Sequence, residues 1–239
     1  MNKHLISRVL IILSLTGSYL INAQSTEDLL KKGNKKQEKG DYEAAIKYYD
    51  RVLESDSVDK DALYYRGNAY MMLDRFNDAI SSYSLLLDNY KNDTDVYFNR
   101  GNAWYELENY ARAIDDFSEV LQIDPKYADA YFVRGNAYFK IEKYKEAISD
   151  FSDGLKLQPD NADGYYDMAN TKFQFKNFEG AITDYSRAID LAGDNTDYYF
   201  NRALAELHLE MNDQACSDLQ KAADLGDDQA GEYYNEFCK

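Results

Sequence analysis

Histidine and cysteine are nearly missing from this 239-residue chain, which holds two of each: His4, His208, Cys216 and Cys238. Catalysis needs a nucleophile, a base or a ligand cluster gathered in a pocket. Past residue 23 a single imidazole remains, and no HExxH, CxxC or glycine-rich phosphate loop accompanies it. The acid-rich run DNYKNDTD at 88–95 lacks the central glycine of a calcium loop and reads as a turn whose Asp93 caps the next helix. The chain therefore reads as a non-enzyme with no cofactor and no metal. Positive charge is short as well: 27 Lys and Arg stand against 43 Asp and Glu, a net charge of −16. Such a field repels phosphate backbones and anionic lipid, which excludes nucleic acid as a partner, and it keeps an elongated surface soluble.

Long apolar runs are absent beyond the first residues, so a polytopic membrane protein is excluded. Lys3, His4 and Arg8 lead into the apolar run Val9–Leu15, followed by Thr16, Gly17, Ser18 and then Leu20-Ile21-Asn22-Ala23. That order predicts a signal peptide over residues 1–23, cut near Ala23-Gln24. Ser14 and Thr16–Ser18 interrupt the roughly 20 apolar residues that a retained anchor would need. With both cysteines near the far end, no lipid anchor on an N-terminal cysteine is available. The expectation is an exported protein, periplasmic or secreted, with no stable membrane insertion after cleavage.

What the sequence does have is repetition. LYYRGNAY, YFNRGNAW and YFVRGNAY place Gly67, Gly101 and Gly135 at intervals of 34, and the same step reaches Gly33, Ala169 and Ala203. A second ladder runs Ala45, Ala79, Ala113, Ala147, Ala181 and Ala215; a third Tyr42, Phe76, Tyr110, Tyr144 and Phe178; a fourth Ile46, Ile80, Ile114, Ile148 and Ile182, with Cys216 in the last place. Glycine inside a helix costs about 1 kcal/mol relative to alanine, so its recurrence implies a close approach of two helices. The alanine ladder is the expected small surface opposite it. Aromatic and aliphatic ladders at helical spacing read as core, and both prolines, Pro125 and Pro159, fall between one repeat and the next, where a helix must stop.

A period of 34 with these residues resembles the tetratricopeptide repeat, a helix–turn–helix unit. Numbering each window from 1, the family's marks are met at position 4 (Leu63, Tyr97, Tyr131, Tyr165), position 8 (the glycines), position 11 (Tyr70, Trp104, Tyr138), position 20 (the alanines), position 24 (Tyr49, Tyr83, Phe117, Phe151, Tyr185) and position 32 (Pro125, Pro159). The resemblance implies an all-α, right-handed αα-solenoid of six repeats, 26–59, 60–93, 94–127, 128–161, 162–195 and 196–229. Residues 228–238 would cap the last apolar face, as a solenoid end requires. KAADLGDDQA at the end is similar to a Sel1-type repeat, and the leader ending Asn-Ala-Gln resembles exported proteins of the Bacteroidetes type.

In that family the first helices line a concave groove through positions 2, 5, 9 and 12. Here they carry Asp61, Tyr64, Asn68 and Met71; Asp95, Phe98, Asn102 and Tyr105; Asp129, Phe132, Asn136 and Phe139; Asp163, Tyr166, Asn170 and Phe173. One reading is a channel for an extended peptide. Amides pair with any peptide backbone, rings add area and cation–π contacts, and acids favour basic partners. The other is repeat habit, since Tyr at 5 and Asn at 9 are ordinary for the family and an acid in a first turn is favoured by the helix dipole. The clamp by which some members hold acidic C-terminal tails needs Lys at positions 5 and 2. Here position 5 is leucine or aromatic and position 2 acidic, so the clamp is absent. Arg66, Arg100, Arg134 and Arg202 at position 7 are expected to pair with acids at the repeat interface. Cys216 stands in an isoleucine place, as a small buried hydrophobe or, after export, as one half of a bridge to Cys238. The functional expectation is a protein-interaction scaffold of the cell envelope, binding a protein or peptide that is basic or aromatic-rich. A holdase-type chaperone is the alternative, and a small-molecule receptor or enzyme a weaker one.

Overall fold

The computed structural model describes residues 26–239, so the predicted leader lies outside the described residues. Among them there is no strand, and helix follows helix: α1 (26–37), α2 (Tyr42–Ser55), α3 (Lys60–Met71), α4 (Phe76–Asn89), α5 (Thr94–Glu106), α6 (Tyr110–Ile123), α7 (Ala128–Lys140), α8 (Tyr144–Leu157), α9 (Ala162–Gln174), α10 (Phe178–Leu191), α11 (Thr196–His208), α12 (Asn212–Asp224) and α13 (Asp228–Phe237). The chain divides into two compact units, one ending at Asn109 and one beginning at Tyr110.

The starts of the first helices are written locally. Asp59, Asp93, Asn161, Asn195 and Asp227 each accept a hydrogen bond from a backbone N–H two or three residues on, which satisfies an end group that would otherwise lack a partner. The turn between the two helices of each repeat has a shared geometry that the sequence does not announce. Position 15 takes a positive φ every time: Gly40, Asp74, Glu108, Glu142, Lys176 and Glu210, between 55° and 74°. The following N–H then reaches back to the carbonyl of position 11, as from Arg75 to Tyr70 and from Lys143 to Tyr138, both at 2.9 Å. This is a helix-terminating motif usually built on glycine. Only repeat 1 supplies the glycine, so the other five hold a left-handed residue that costs about 1–2 kcal/mol locally.

Packing corrects one expectation about the glycines. The space over Gly33, Gly67 and Gly135 is filled by the ring at position 24 rather than by the alanine at position 20. A Cβ on Gly33 would lie 2.5 Å from Tyr49, one on Gly67 2.4 Å from Tyr83, and one on Gly135 2.9 Å from Phe151. Those rings are fully buried. Glycine is therefore needed to seat an aromatic on the first helix of its own repeat, while the alanine ladder, also fully buried, is a second small surface beside it.

The arginines at position 7 tie neighbouring repeats. In the first unit, Arg66 donates to Asp50 at 2.8 Å and to Ser82 at 3.1 Å. In the second, Arg134 forks onto Asp150 with two bonds of 2.8 Å and reaches Ser118 at 3.0 Å. Arg202 does the same with Asp218 and Ser186. Each thus joins the second helix of its own repeat to that of the repeat before it. Repeat 5 has Met168 in this place, and Lys172, one turn further along α9, takes over the pairing with Asp184 at 2.5 Å.

Repeat 6 departs differently. Position 11, aromatic in repeats 2 to 4, is Glu206, which is 5% exposed. Its Oε2 has no hydrogen-bond partner, and Oε1 lies 4.0 Å from Arg202, whose guanidinium is committed to Asp218 and Ser186. The charged groups acting on it are therefore Asp218 from α12 and Arg202 from its own helix; Lys172 and Asp184, on α9 and α10, form a separate ion pair. Burial, then Asp218, push the Glu206 carboxyl up to about 7 despite Arg202. Because the folded value exceeds the unfolded one, the folded state binds the extra proton between about pH 4.5 and 7, and stability falls as pH rises through that window. Melting curves at pH 5 and pH 8 should show a smaller loss for Glu206→Gln than for the natural protein. Equal losses would mean that Glu206 is ionised and compensated.

Candidate functional site: the first-helix faces

In each unit, the predicted site residues form rows along the first helices. On α3 and α5 of the first unit, Asp61 and Asp95 are exposed, while Tyr64, Asn68, Met71, Phe98, Asn102 and Tyr105 are half-buried. On α7 and α9 of the second unit, Asp129 and Asp163 are exposed, and Phe132, Asn136, Phe139, Tyr166, Asn170 and Phe173 are half-buried. Spacings of three and four residues place each set on one helix face. An acidic edge thus runs beside a floor of rings and amides.

The amides are not free to point either way. The Tyr83 hydroxyl donates to Asn68 Oδ1 at 2.6 Å, Tyr185 to Asn170 Oδ1 at 2.6 Å, and Tyr49 to Asn34 Oδ1 at 2.8 Å. The ring seated over each glycine therefore holds the asparagine carbonyl inward and leaves its NH2 outward, as a donor for a carbonyl oxygen. Burial raises the pKa of Tyr49, Tyr83 and Tyr185, so the phenol proton stays in place for this role. Where position 24 is Phe151 the hydroxyl is missing, and Asn136 Nδ2 instead donates to Asp167 at 3.3 Å. Asp167, at position 6 of its repeat, is pushed up by burial against that bond.

Other predicted residues are partly committed to structure. The Phe132 ring fills a notch above Gly154 and Gly164, where added Cβ atoms would lie 2.9 and 2.6 Å away. It therefore locks α7 against the glycine of α8 and the start of α9, and cannot be trimmed without loosening the stack. Phe139 packs against Tyr144 at 5.8 Å, and Phe173 against Phe178 at 5.3 Å and His208 at 5.4 Å. Asp163 accepts from Tyr198 at 2.8 Å, and burial, then that bond, hold the Tyr198 hydroxyl up to about 12. Asp129 accepts from Gln158 at 3.2 Å.

The first unit also has a cleft of about 530 Å3 lined by Gln37, Glu38, Asn68, Met71, Met72 and Asn99 among others. Gln37 Oε1 accepts from Tyr49 at 3.0 Å, and Asn68 Oδ1 accepts a second bond, from Asn99 Nδ2 at 3.3 Å. Both carbonyl oxygens are taken up by these bonds, and the cleft is lined by the amides together with Met71 and Met72. The rows predicted from sequence contain only Asn68 and Met71 of these. Gln37 sits at position 12 of repeat 1, in a row that is Met or aromatic in repeats 2 to 5, and Asn99 at position 6, outside the predicted rows.

Among the described residues no group of three or more His, Cys, Asp or Glu is arranged to hold a metal ion, and no helix is long and apolar enough to cross a membrane. Helices in pairs, recurring every 34 residues with a glycine–ring contact inside the pair and an arginine between pairs, define an α-helical repeat protein. The chain belongs to the tetratricopeptide repeat family: family models described as tetratricopeptide repeat match residues 30–94 and 166–233 and residues 128–161, and one described as TPR repeat matches residues 101–142. As a member it is a scaffold of the type used for protein–protein interaction.

Solved structures agree on the fold. A MamA protein superposes with a TM-score of 0.70 at 24% identity, covering 74% of this chain and 96% of that one. YrrB, described as a TPR protein with an unusual peptide-binding site, gives 0.69 at 17% identity over 79% and 97%. PilF of Pseudomonas aeruginosa gives 0.68 at 20% identity over 90% and 99%. No curated protein matches the chain in sequence.

Proposed function

We propose that the chain is a scaffold of the cell envelope whose first-helix faces hold an extended segment of a partner protein, with basic or aromatic side chains in that segment. The observation that supports this most is the inward locking of the Asn68 and Asn170 carbonyls by Tyr83 and Tyr185, which leaves on each unit an N–H donor suited to a backbone carbonyl of any sequence. Ring faces beside them add apolar area, and the exposed acids favour Lys and Arg in the partner. The peptide-binding site named for YrrB is consistent with this use of the fold. Export rests on the order of charge, apolar run and small residues in the first 23 positions.

The test is in-cell crosslinking and pull-down with the natural protein beside an Asp61→Lys, Asp95→Lys, Asn68→Ala variant. Phe132 is left intact because its ring holds the stack. The variant should keep its helicity and recover at least about tenfold less of each specific partner, as removal of several interface contacts worth about 1.4 kcal/mol in total would give. Recovery of the same partners in the same amounts sinks the first-helix reading. Equal binding of many denatured proteins to both forms would favour the holdase alternative.

A further inference from the structure

The charge of this acidic chain is distributed unevenly. Seven of its 27 basic residues fall between positions 31 and 51: Lys31, Lys32, Lys35, Lys36, Lys39, Lys47 and Arg51. All but Lys31 line two adjoining clefts on α1 and α2. One, of about 320 Å3, is lined by Lys36, Ala44, Lys47, Tyr48 and Arg51. The other, of about 140 Å3, is lined by Lys32, Lys35, Lys36, Lys39 and Tyr48. Lys31, Lys32 and Lys36 have exposed carboxylate partners, whereas Lys35, Lys39, Lys47 and Arg51 make no ion pair among the described residues. Helix formation does not require this composition, since glutamate serves an exposed helix equally well. Unpaired like charges crowded on one surface repel each other and favour an anionic partner.

Register says what kind of surface it is. Arg66, Arg134 and Arg202 at position 7 reach back to the second helix of the preceding repeat, onto Asp50, Ser118 and Ser186. Lys32 has that position in repeat 1, and no helix precedes α1 among the described residues. A cation thus stands at the place from which Arg66, Arg134 and Arg202 reach an acid or hydroxyl of another repeat. At the other end of the sequence, residues 222–238 hold Asp224, Asp227, Asp228, Glu232 and Glu236 and no base. Asp224, Asp228, Glu232 and Glu236 are exposed, and beside them Phe237 is 53% exposed.

We propose that the lysine-lined surface of repeat 1 docks the acidic end, residues 224–237, of a second copy, so that copies join head to tail. The rest of the chain enforces this register. At a net charge of −16 most other encounters set acid against acid, whereas this pairing sets base against acid. The same field disfavours a broad anionic membrane or nucleic acid, while a compact helix end meets the basic patch alone. The contact joins unlike surfaces, so it extends rather than closes unless the geometry forms a ring. Being electrostatic and exposed, it weakens with salt.

The experiment is sedimentation of the purified protein at about 0.01 M and about 1 M ionic strength, where the Debye length is about 30 Å and 3 Å. Two charge-reversed forms accompany it, one carrying Lys35→Glu, Lys39→Glu and Lys47→Glu, the other Asp228→Lys, Glu232→Lys and Glu236→Lys. All six positions are exposed, and melting of each form checks its folding. The natural protein should at least about double its average mass at low salt and return to monomer at high salt. Each reversed form alone should stay monomeric, and mixing the two should restore association. A monomer at low salt, assembly of a reversed form by itself, or a mixture that stays monomeric overturns the proposal. So does a natural protein that stays monomeric but sediments with anionic vesicles through Lys35, Lys39 and Lys47, because the patch would then serve lipid.

Discussion

Tyr83→Ala should destabilise the first unit by about 3–5 kcal/mol, the range for removing a fully buried aromatic side chain from a packed core. Tyr83 is fully buried, its ring fills the space that the missing Cβ of Gly67 leaves open, and it packs with Leu63, Ala79, Leu86, Leu87 and Val96. Collapse cannot close the hole cheaply, because α3 and α4 are held apart by their other contacts. Tyr83→Phe should cost only about 1 kcal/mol, the usual value of one hydrogen bond, and repeat 4 shows the same place filled by Phe151 against Gly135. The two substitutions separate packing from orientation. If the asparagine locking matters for binding, Tyr83→Phe should weaken partner recovery more than its stability loss explains, since Asn68 could then rotate its carbonyl outward. Denaturant titrations of the three proteins measure the first effect. A loss below about 1 kcal/mol for alanine would show that the glycine–ring contact does not organise the repeat.

Opening the bond between Cys216 and Cys238 should have the next largest effect. The structure joins the two across 22 residues, with Cα atoms 5.7 Å apart, and so ties α12 to α13. Closing a loop of that length in the unfolded chain is worth roughly 3 kcal/mol. Only Ala230 of α13 is fully buried; Tyr233 and Tyr234 pack partly buried against the same cluster, so the bond reinforces a small apolar contact. Reduction, or Cys238→Ser, should therefore release α13 before the remainder of the second unit melts, seen as early loss of hydrogen-exchange protection over residues 228–237. If protection of α13 and the melting curve are the same with and without reductant, the bond is not holding the cap. An envelope protein would keep this bond, whereas a reducing compartment would not.

The repeat was legible in the sequence because its causes are local. A helix needs its caps at fixed offsets and an apolar stripe at helical spacing, and a stack of equal units needs them every 34 residues; Asp59, Asp93, the alanine ladder and the ring ladder carry all of that. The rows at positions 2, 5, 9 and 12 followed from the same register. What spacing could not supply was the choice of partner across space. That Gly67 faces Tyr83 rather than Ala79 depends on the angle and depth at which α4 crosses α3. The direction of the Asn68 amide depends on a hydroxyl 15 residues away. Phe132 became structural because Gly154 and Gly164, from two other helices, leave a notch for it.

Local conformation was hidden wherever a residue type gave no sign of its backbone. Glu108, Glu142, Lys176 and Glu210 take the left-handed turn that Gly40 takes, since the helix-ending bond and the packing of both helices outweigh the local strain. Charge was only half legible: register puts Glu206 in a place that is aromatic in repeats 2 to 4, but not that its carboxyl stays buried there beside Asp218. Composition, periodicity and capping are properties of neighbours along the chain, so the sequence by itself determined helix pairs recurring every 34 residues, with rows of acids, rings and amides on the first helix of each pair. Burial, amide direction and the partner of each charge are properties of neighbours in space, and only the tertiary structure decided them.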